Sequence, residues 1–245
     1  MNALTVSGLV KRYPGFLLKE VSFEVPQGAV VGFIGRNGAG KSTTIRCLLG
    51  LAHAEGGEVL YRGKNIKEDE KYFKEHIGVV IGGEVFYPKK KLGTIARVTA
   101  GFYPGWDEEK YRYYLDLFGL DETKRMDELS TGMQVKFRIA LALSHGADLF
   151  IMDEPTSGLD PVSREELTDL FRAMVKDGTR SILFSTHITS DLQKCASDIV
   201  FIRDGAITFS GKTEDFLTRF ADKGHDLEEI IVAMERRPLD ESIIL

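Results

Sequence analysis

The sequence predicts an α/β fold: a parallel sheet covered by helices on both faces, with an N-terminal antiparallel β subdomain and a helical insertion. Three observations carry this. The short runs Val30–Ile34, Ile77–Ile81, Leu149–Met152, Ser181–Ser185 and Ile199–Ile202 are predominantly apolar, as strands buried on both faces must be. Helical patterns separate the later runs, at Pro161–Val175 and Thr189–Cys195, which is the order of right-handed βαβ units. Between about residues 82 and 146 that alternation stops, Tyr and Phe become frequent, and apolar residues recur at helical spacing.

The elements follow in order. Residues 2–10 and 19–25 alternate apolar and polar side chains and predict half-buried strands. The Val30 run ends in a glycine-rich turn, and a helix is expected from Lys41 to about Ala52. Gly56-Gly57 and Gly63 punctuate another short strand. Inside the insertion, helices are expected near 92–102, 107–118 and 131–145. From 211 to 245 the chain reads as a helical tail, with Leu227, Ile230, Ile231 and Met234 as its apolar stripe. No linker, repeat or low-complexity tract divides the 245 residues, so one domain spanning 1–245 is expected.

Bulk properties narrow the function. The formal net charge of −5 gives no global positive field, which argues against a nucleic-acid partner. Cys47 and Cys195 lack a CxxC partner and read as reduced core thiols, which points to a cytoplasmic location. No run of about 18 apolar residues or leader-like stretch is seen, so a role in moving a solute needs a second chain to supply the pore.

The strongest local signal is Gly35-Arg36-Asn37-Gly38-Ala39-Gly40-Lys41-Ser42-Thr43, which matches the P-loop pattern between an expected strand and an expected helix. Its glycines let the backbone turn around an anion and aim N–H groups inward, and the helix adds its positive end. Lys41 then serves the β- and γ-phosphates of ATP, and Ser42 offers a hydroxyl to Mg²⁺. A second acidic centre, Asp153-Glu154, ends the apolar run from Leu149. Asp153 suits a Mg²⁺ ligand, and Glu154 a base that polarises an attacking water.

Further segments decide among P-loop families. Leu129-Ser130-Thr131-Gly132-Met133-Gln134 resembles the LSGGQ signature of ABC (ATP-binding cassette) proteins. Pro155-Thr156-Ser157-Gly158-Leu159-Asp160 resembles their D-loop, Ser185-Thr186-His187 their switch-histidine motif, and Tyr13 stands where they place an adenine-stacking aromatic. The resemblance covers about residues 2–215. It implies the ABC ATPase fold on a P-loop NTPase (RecA-like) core. It also implies a head-to-tail dimer, with a second copy or another cassette chain. Each ATP would lie between Lys41 of one chain and Ser130 and Gly132 of the other. It further implies a membrane permease as partner and peripheral attachment to the membrane through it.

On residues alone the alternatives stay open. Ser130 is also a plain N-cap, Asp160 before Pro161 a good helix start, His187 a structural histidine, and Tyr13 a core aromatic. The LSxGM form and the segment Gly101-Phe102-Tyr103-Pro104-Gly105-Trp106 resemble bacterial drug- and peptide-efflux cassettes. Those aromatics, with Phe86-Tyr87-Pro88, read either as packing of the insertion or as a groove for the permease. Lys89-Lys90-Lys91 reads as a solvated basic turn. One departure is clear: Gly82 stands where many cassettes carry a Mg²⁺-contacting glutamine, followed by Gly83 and Glu84, so Glu84 or water would replace it. The competing function is a non-transport or regulatory ABC ATPase with a soluble partner.

Overall fold

The computed structural model describes residues 1–81 and 87–236, so Gly82, Gly83, Glu84, Phe86 and the end of the tail lie outside the described residues. Two sheets build the molecule. Strands β1 (Asn2–Tyr13), β2 (Phe16–Pro26), β4 (Gly56–Tyr61) and β5 (Lys64–Asn65) form an antiparallel sheet in the order β2-β1-β4-β5. Strands β3 (Val30–Ile34), β6 (Ile77–Ile81), β7 (Leu149–Asp153), β8 (Ser181–Thr186), β9 (Asp198–Arg203) and β10 (Ala206–Lys212) form the second, in the order β10-β9-β3-β8-β7-β6. In that sheet β9, β3, β8, β7 and β6 run parallel, and β10 closes the edge antiparallel to β9. The burial of β3, β7 and β8 is continuous, as parallel strands with two covered faces require.

One face of the parallel sheet packs with α1 (Lys41–Leu48) against the antiparallel sheet, burying Phe23, Phe33, Ile45, Leu48 and Ile151. The other face is covered by α6 (Pro161–Val175), α7 (Thr189–Cys195), α8 (Thr213–Arg219) and α9 (Leu227–Glu235), around Phe150, Phe171, Phe184 and Phe201. Helices α3 (Leu92–Ala100) and α4 (Glu108–Leu117) form a third, separate cluster with part of α5 (Thr131–Ser144). α5 buries residues on two sides because it serves two cores. Val135, Ile139, Ala142 and Leu143 face the sheet, while Phe137 and Leu141 face α3 and α4.

Most expected elements are present, with four differences. α1 stops at Leu48, because Gly50 at φ +70° ends the turn. α2 (Glu70–His76) had no sequence signal, since Phe73 is its single buried residue. β10 takes residues 206–212, so the helical tail starts at Thr213 and forms two short helices. The first two strands reach the tight turn at Pro14-Gly15, which brings Tyr13 and Phe16 together as a cross-strand pair. Cys47 and Cys195 are free and buried, and burial pushes the Cys195 thiol up to about 12.

Candidate nucleotide site

The loop from Gly35 to Gly40 leaves β3 at the C-terminal edge of the parallel sheet and enters α1. Its glycines are there for room as well as rotation. A Cβ at Gly35 would come within 2.3 Å of the Ile202 carbonyl, and one at Gly40 within 2.7 Å of the Leu18 side chain, so the loop is packed tightly from behind. Gly38 and Gly40 hold φ of +83° and +119°. The N-terminus of α1 has no side-chain cap and no acidic residue in its first turn. Its free N–H groups and positive dipole end are therefore available to an anion.

A cavity of about 600 Å³ opens over this loop, within the range of small-molecule sites. Tyr13 and Phe16 line one side; Gly38, Lys41, Ser42 and Thr43 the floor; Glu154, Ser157 and His187 the far wall. Lys41 is 5% exposed. Its Nζ donates to the carbonyls of Gly35 (2.7 Å) and Arg36 (3.4 Å) and sits 3.4 Å from Glu154 Oε1. The other oxygen of Glu154 is 2.8 Å from His187 Nδ1. A buried ammonium needs an anionic neighbour, and here a carboxylate supplies it.

At the end of β7, Asp153 Oδ1 accepts from Ser42 Oγ at 3.2 Å and from Ser185 Oγ at 2.5 Å. This pair of hard oxygens beside a phosphate cradle is the kind of donor set Mg²⁺ takes when phosphate and water supply its other ligands. The next residue, Glu154, turns out of the strand at φ +50°, held by bonds from its N–H to the Ser185 carbonyl (3.2 Å) and hydroxyl (2.9 Å). A left-handed glutamate is strained by about 1–3 kcal/mol, and here that strain aims a carboxylate into the cavity.

The second anion-binding candidate lies elsewhere. Ser130 caps α5, its hydroxyl accepting from the Met133 N–H at 3.3 Å. Gly132 is buried, and a Cβ there would stand 3.3 Å from that of Ser163. Neither residue lines the cavity around Lys41. Asp160 is exposed and caps α6, accepting from the Val162 and Ser163 N–H groups (3.0 and 3.1 Å) and from the Ser163 hydroxyl (2.6 Å). The Ser163 hydroxyl and N–H groups hold its carboxyl below the usual range. The plain N-cap roles of Ser130 and Asp160 are thus present.

Phe16, Arg36, Ser157 and Ser185 were not picked out as site residues in sequence. Phe16 follows the Pro14-Gly15 turn opposite Tyr13; Arg36, Ser157 and Ser185 stand inside the P-loop, D-loop and switch-histidine segments, and their own contacts join distant strands and loops. A further groove of about 930 Å³ runs between α2 and α3. Tyr87, Ile95, Val98, Phe102 and Tyr103 form its apolar wall, and Glu70, Lys71, Lys74 and Glu75 its charged rim. Phe102 is 75% exposed. Tyr103 also stacks on His145 at 3.7 Å, and Trp106 packs against Tyr111. Packing thus accounts for Tyr103 and Trp106, while Tyr87 and Phe102 line an open groove.

Fold and cradle together define a P-loop nucleotide-binding domain. A family model described as ABC transporter matches residues 18–157. The bacitracin transport ATP-binding protein BcrA of Bacillus licheniformis is 33% identical over 189 residues, 76% of this chain and 62% of that protein. The daunorubicin/doxorubicin resistance ATP-binding protein DrrA of Streptomyces peucetius is 34% identical over 219 residues, 86% of this chain and 66% of that protein. A solved ATP-binding subunit of an ABC transporter superposes with a TM-score of 0.84 at 28% identity, covering 96% of this chain and 100% of its own. The chain belongs to the ABC transporter family and carries its ATP-binding domain. It spans less than two thirds of the length of those two curated relatives. Among the described residues, no helix is long and apolar enough to cross a membrane.

Proposed function

We propose that the chain binds ATP with Mg²⁺, hydrolyses it within a dimer, and thereby powers a separate membrane permease that exports a drug, peptide or lipid-like solute. The observation that carries this reading is the meeting of Lys41, Glu154 and His187 in one cavity whose floor is the 35–43 loop and the Ser42–Asp153 pair.

The division of labour follows from the contacts. The backbone N–H groups from Gly35 to Gly40 and of Ser42 and Thr43 cradle the β- and γ-phosphates, including those of Asn37 and Gly38 and, once it leaves the Arg36 carbonyl to which it donates at 3.0 Å, that of Ala39. Lys41 exchanges the Glu154 carboxylate for phosphate oxygens and so keeps an anionic partner. That exchange frees Glu154, which takes the proton of a water aimed at the γ-phosphate. His187 holds Glu154 in orientation through its Nδ1 contact and faces the same phosphate. Tyr13, 42% exposed and with the Lys11 ammonium 4.9 Å from its ring centroid, offers its other face to adenine. Ser42 and Asp153 hold Mg²⁺, which when bound neutralises phosphate charge.

Ser130 and Gly132 of a partner cassette, the same chain or a near relative, complete the phosphate shell from outside, with Asp160 at the seam. Their position away from the Lys41 cavity supports this. The apolar groove beside α3 is the surface read as receiving the permease, which would place the chain peripherally on the cytoplasmic face of the membrane. Residues 82–146 are read as a helical subdomain inserted in one domain spanning 1–245, with the tail, expected from 211, beginning at Thr213. The separate cluster of α3, α4 and α5 supports that division. The similarity to a bacitracin transport and a daunorubicin/doxorubicin resistance ATP-binding protein favours transport over the non-transport alternative with a soluble partner.

Glu154→Gln tests the reading. It removes the base but keeps the hydrogen-bonding shape, so ATP turnover should fall about 10²–10³-fold while ATP stays bound. With ATP and Mg²⁺ the variant should elute as a dimer in size-exclusion chromatography. A monomer under saturating ATP, or unchanged turnover, would overturn the proposal.

A further inference from the structure

We propose that Asp191 is a positioning residue for ATP hydrolysis: paired with Arg164, it ties the loop carrying Asp160 to the loop carrying His187. The inference rests on the hydrolytic reading above and adds a residue to it. Asp191 lies in the first turn of α7, four residues after His187, and is fully buried. Across from it stands Arg164 in the first turn of α6, four residues after Asp160. The Arg164 Nε is 3.7 Å from Asp191 Oδ1, and its Nη2 donates to the Leu159 carbonyl at 3.3 Å. One guanidinium therefore grips both the backbone just before Asp160 and the carboxylate just after His187.

The polar accounts of this pair are left open. By distance and angle, both carboxylate oxygens of Asp191, the Nε of Arg164 and the hydroxyl of Thr156 are buried without a well-formed hydrogen bond, although the Thr156 hydroxyl lies close enough to Asp191 to act on its carboxyl. Thr156 belongs to the same loop as Asp160 and is itself fully buried. Such a half-satisfied cluster is costly in a static core. Burial raises the Asp191 carboxyl above its usual range, while the nearby Thr156 hydroxyl and the Arg164 guanidinium draw it back down. A closing of less than 1 Å between the starts of α6 and α7 would turn the 3.7 Å contact into charge-assisted hydrogen bonds. Any movement that seats Asp160 against a partner would thereby pull His187, and with it Glu154, into one fixed arrangement.

The structure assigns no contact of Asp191 or Arg164 with the nucleotide cavity, which separates their expected effect from that of a binding residue. The test compares ATP affinity and ATP turnover at saturation for the full-length chain, Asp191→Asn, Arg164→Gln and the double variant. Each single substitution should lower turnover about 10-fold or more with ATP affinity within about 2-fold, and the double should be no slower than the slower single, because the pair acts as a unit. Turnover within 2-fold of the parent, affinity falling in step with turnover, or losses that multiply in the double variant would each overturn the inference. If Asp191→Asn fails to fold, the same split between affinity and turnover in Arg164→Gln decides. A parent chain that binds ATP and never turns it over would instead sink the hydrolytic reading beneath it.

Discussion

The chain carries two candidate sites for an anion, and they are built differently. The loop from Gly35 to Thr43 is walled in by its own chain: glycines packed from behind, Lys41 buried, and Glu154 and His187 within reach of one another. The Ser130–Gly132 turn has the same ingredients, a hydroxyl, small residues and a helix start, yet Ser130 is exposed and shares no cavity with Lys41. The first is an enclosed pocket; the second is open surface, which under the proposed function a partner cassette would cover. That asymmetry is the physical reason to expect nucleotide to join two cassettes.

Substitutions can break the comparison, beginning with the strongest. Lys41→Ala removes the buried cation that the loop encloses, so ATP binding should drop by about 10³-fold or more, a change of about 4 kcal/mol by isothermal titration. Unchanged affinity would contradict the assignment of the loop. The anchoring of the second site gives the next effect. α5 runs from Ser130 at its start to His145 at its end, where burial holds the imidazole down at about 4 against the ordinary 6.5 and Tyr103 stacks on it. A depressed histidine contributes stability that is complete above pH 6.5 and is lost as pH falls towards 4. Denaturant unfolding should therefore lose about 2–3 kcal/mol across that window. His145→Phe, which keeps the stack, should flatten the slope; an equal slope would assign it elsewhere.

The smallest effect sharpens the contrast most. Ser130→Ala should leave ATP affinity of the single chain unchanged while lowering turnover about 10-fold, the scale of one charge-assisted hydrogen bond. It should also cost about 1 kcal/mol of stability through the lost cap of α5. A parallel loss of single-chain ATP affinity would mean the two sites are one.

Much of this was legible in the sequence because its signals are local. The phosphate loop is a fixed spacing between strand and helix, and Asp153-Glu154 ends a short apolar run that reads as a buried strand. The caps at Ser130 and Asp160 follow from residue type. What escaped was non-local or weakly patterned. α2 buries only Phe73, so no stripe announces it. β10 is an edge strand, and its alternation at residues 206–212 is faint. The Ser185 hydroxyl that holds Asp153, and the Asp191–Arg164 pair, join residues on different elements that no window of sequence brings together. Arg36 is another such case: it fills a free position of the loop, and its guanidinium donates to the Glu235 carbonyl at 3.3 Å, at the far end of the chain.

The two candidate sites are expected to meet across two molecules. Cysteine cross-linking measures that directly, since Cys47 and Cys195 are buried and leave the surface free of thiols among the described residues. A chain carrying both Asn37→Cys and Ser130→Cys should form a disulfide-linked dimer with ATP and Mg²⁺ on a Glu154→Gln background, and remain a monomer without nucleotide. A bond closing within one molecule, or no cross-link at saturating ATP, would contradict it.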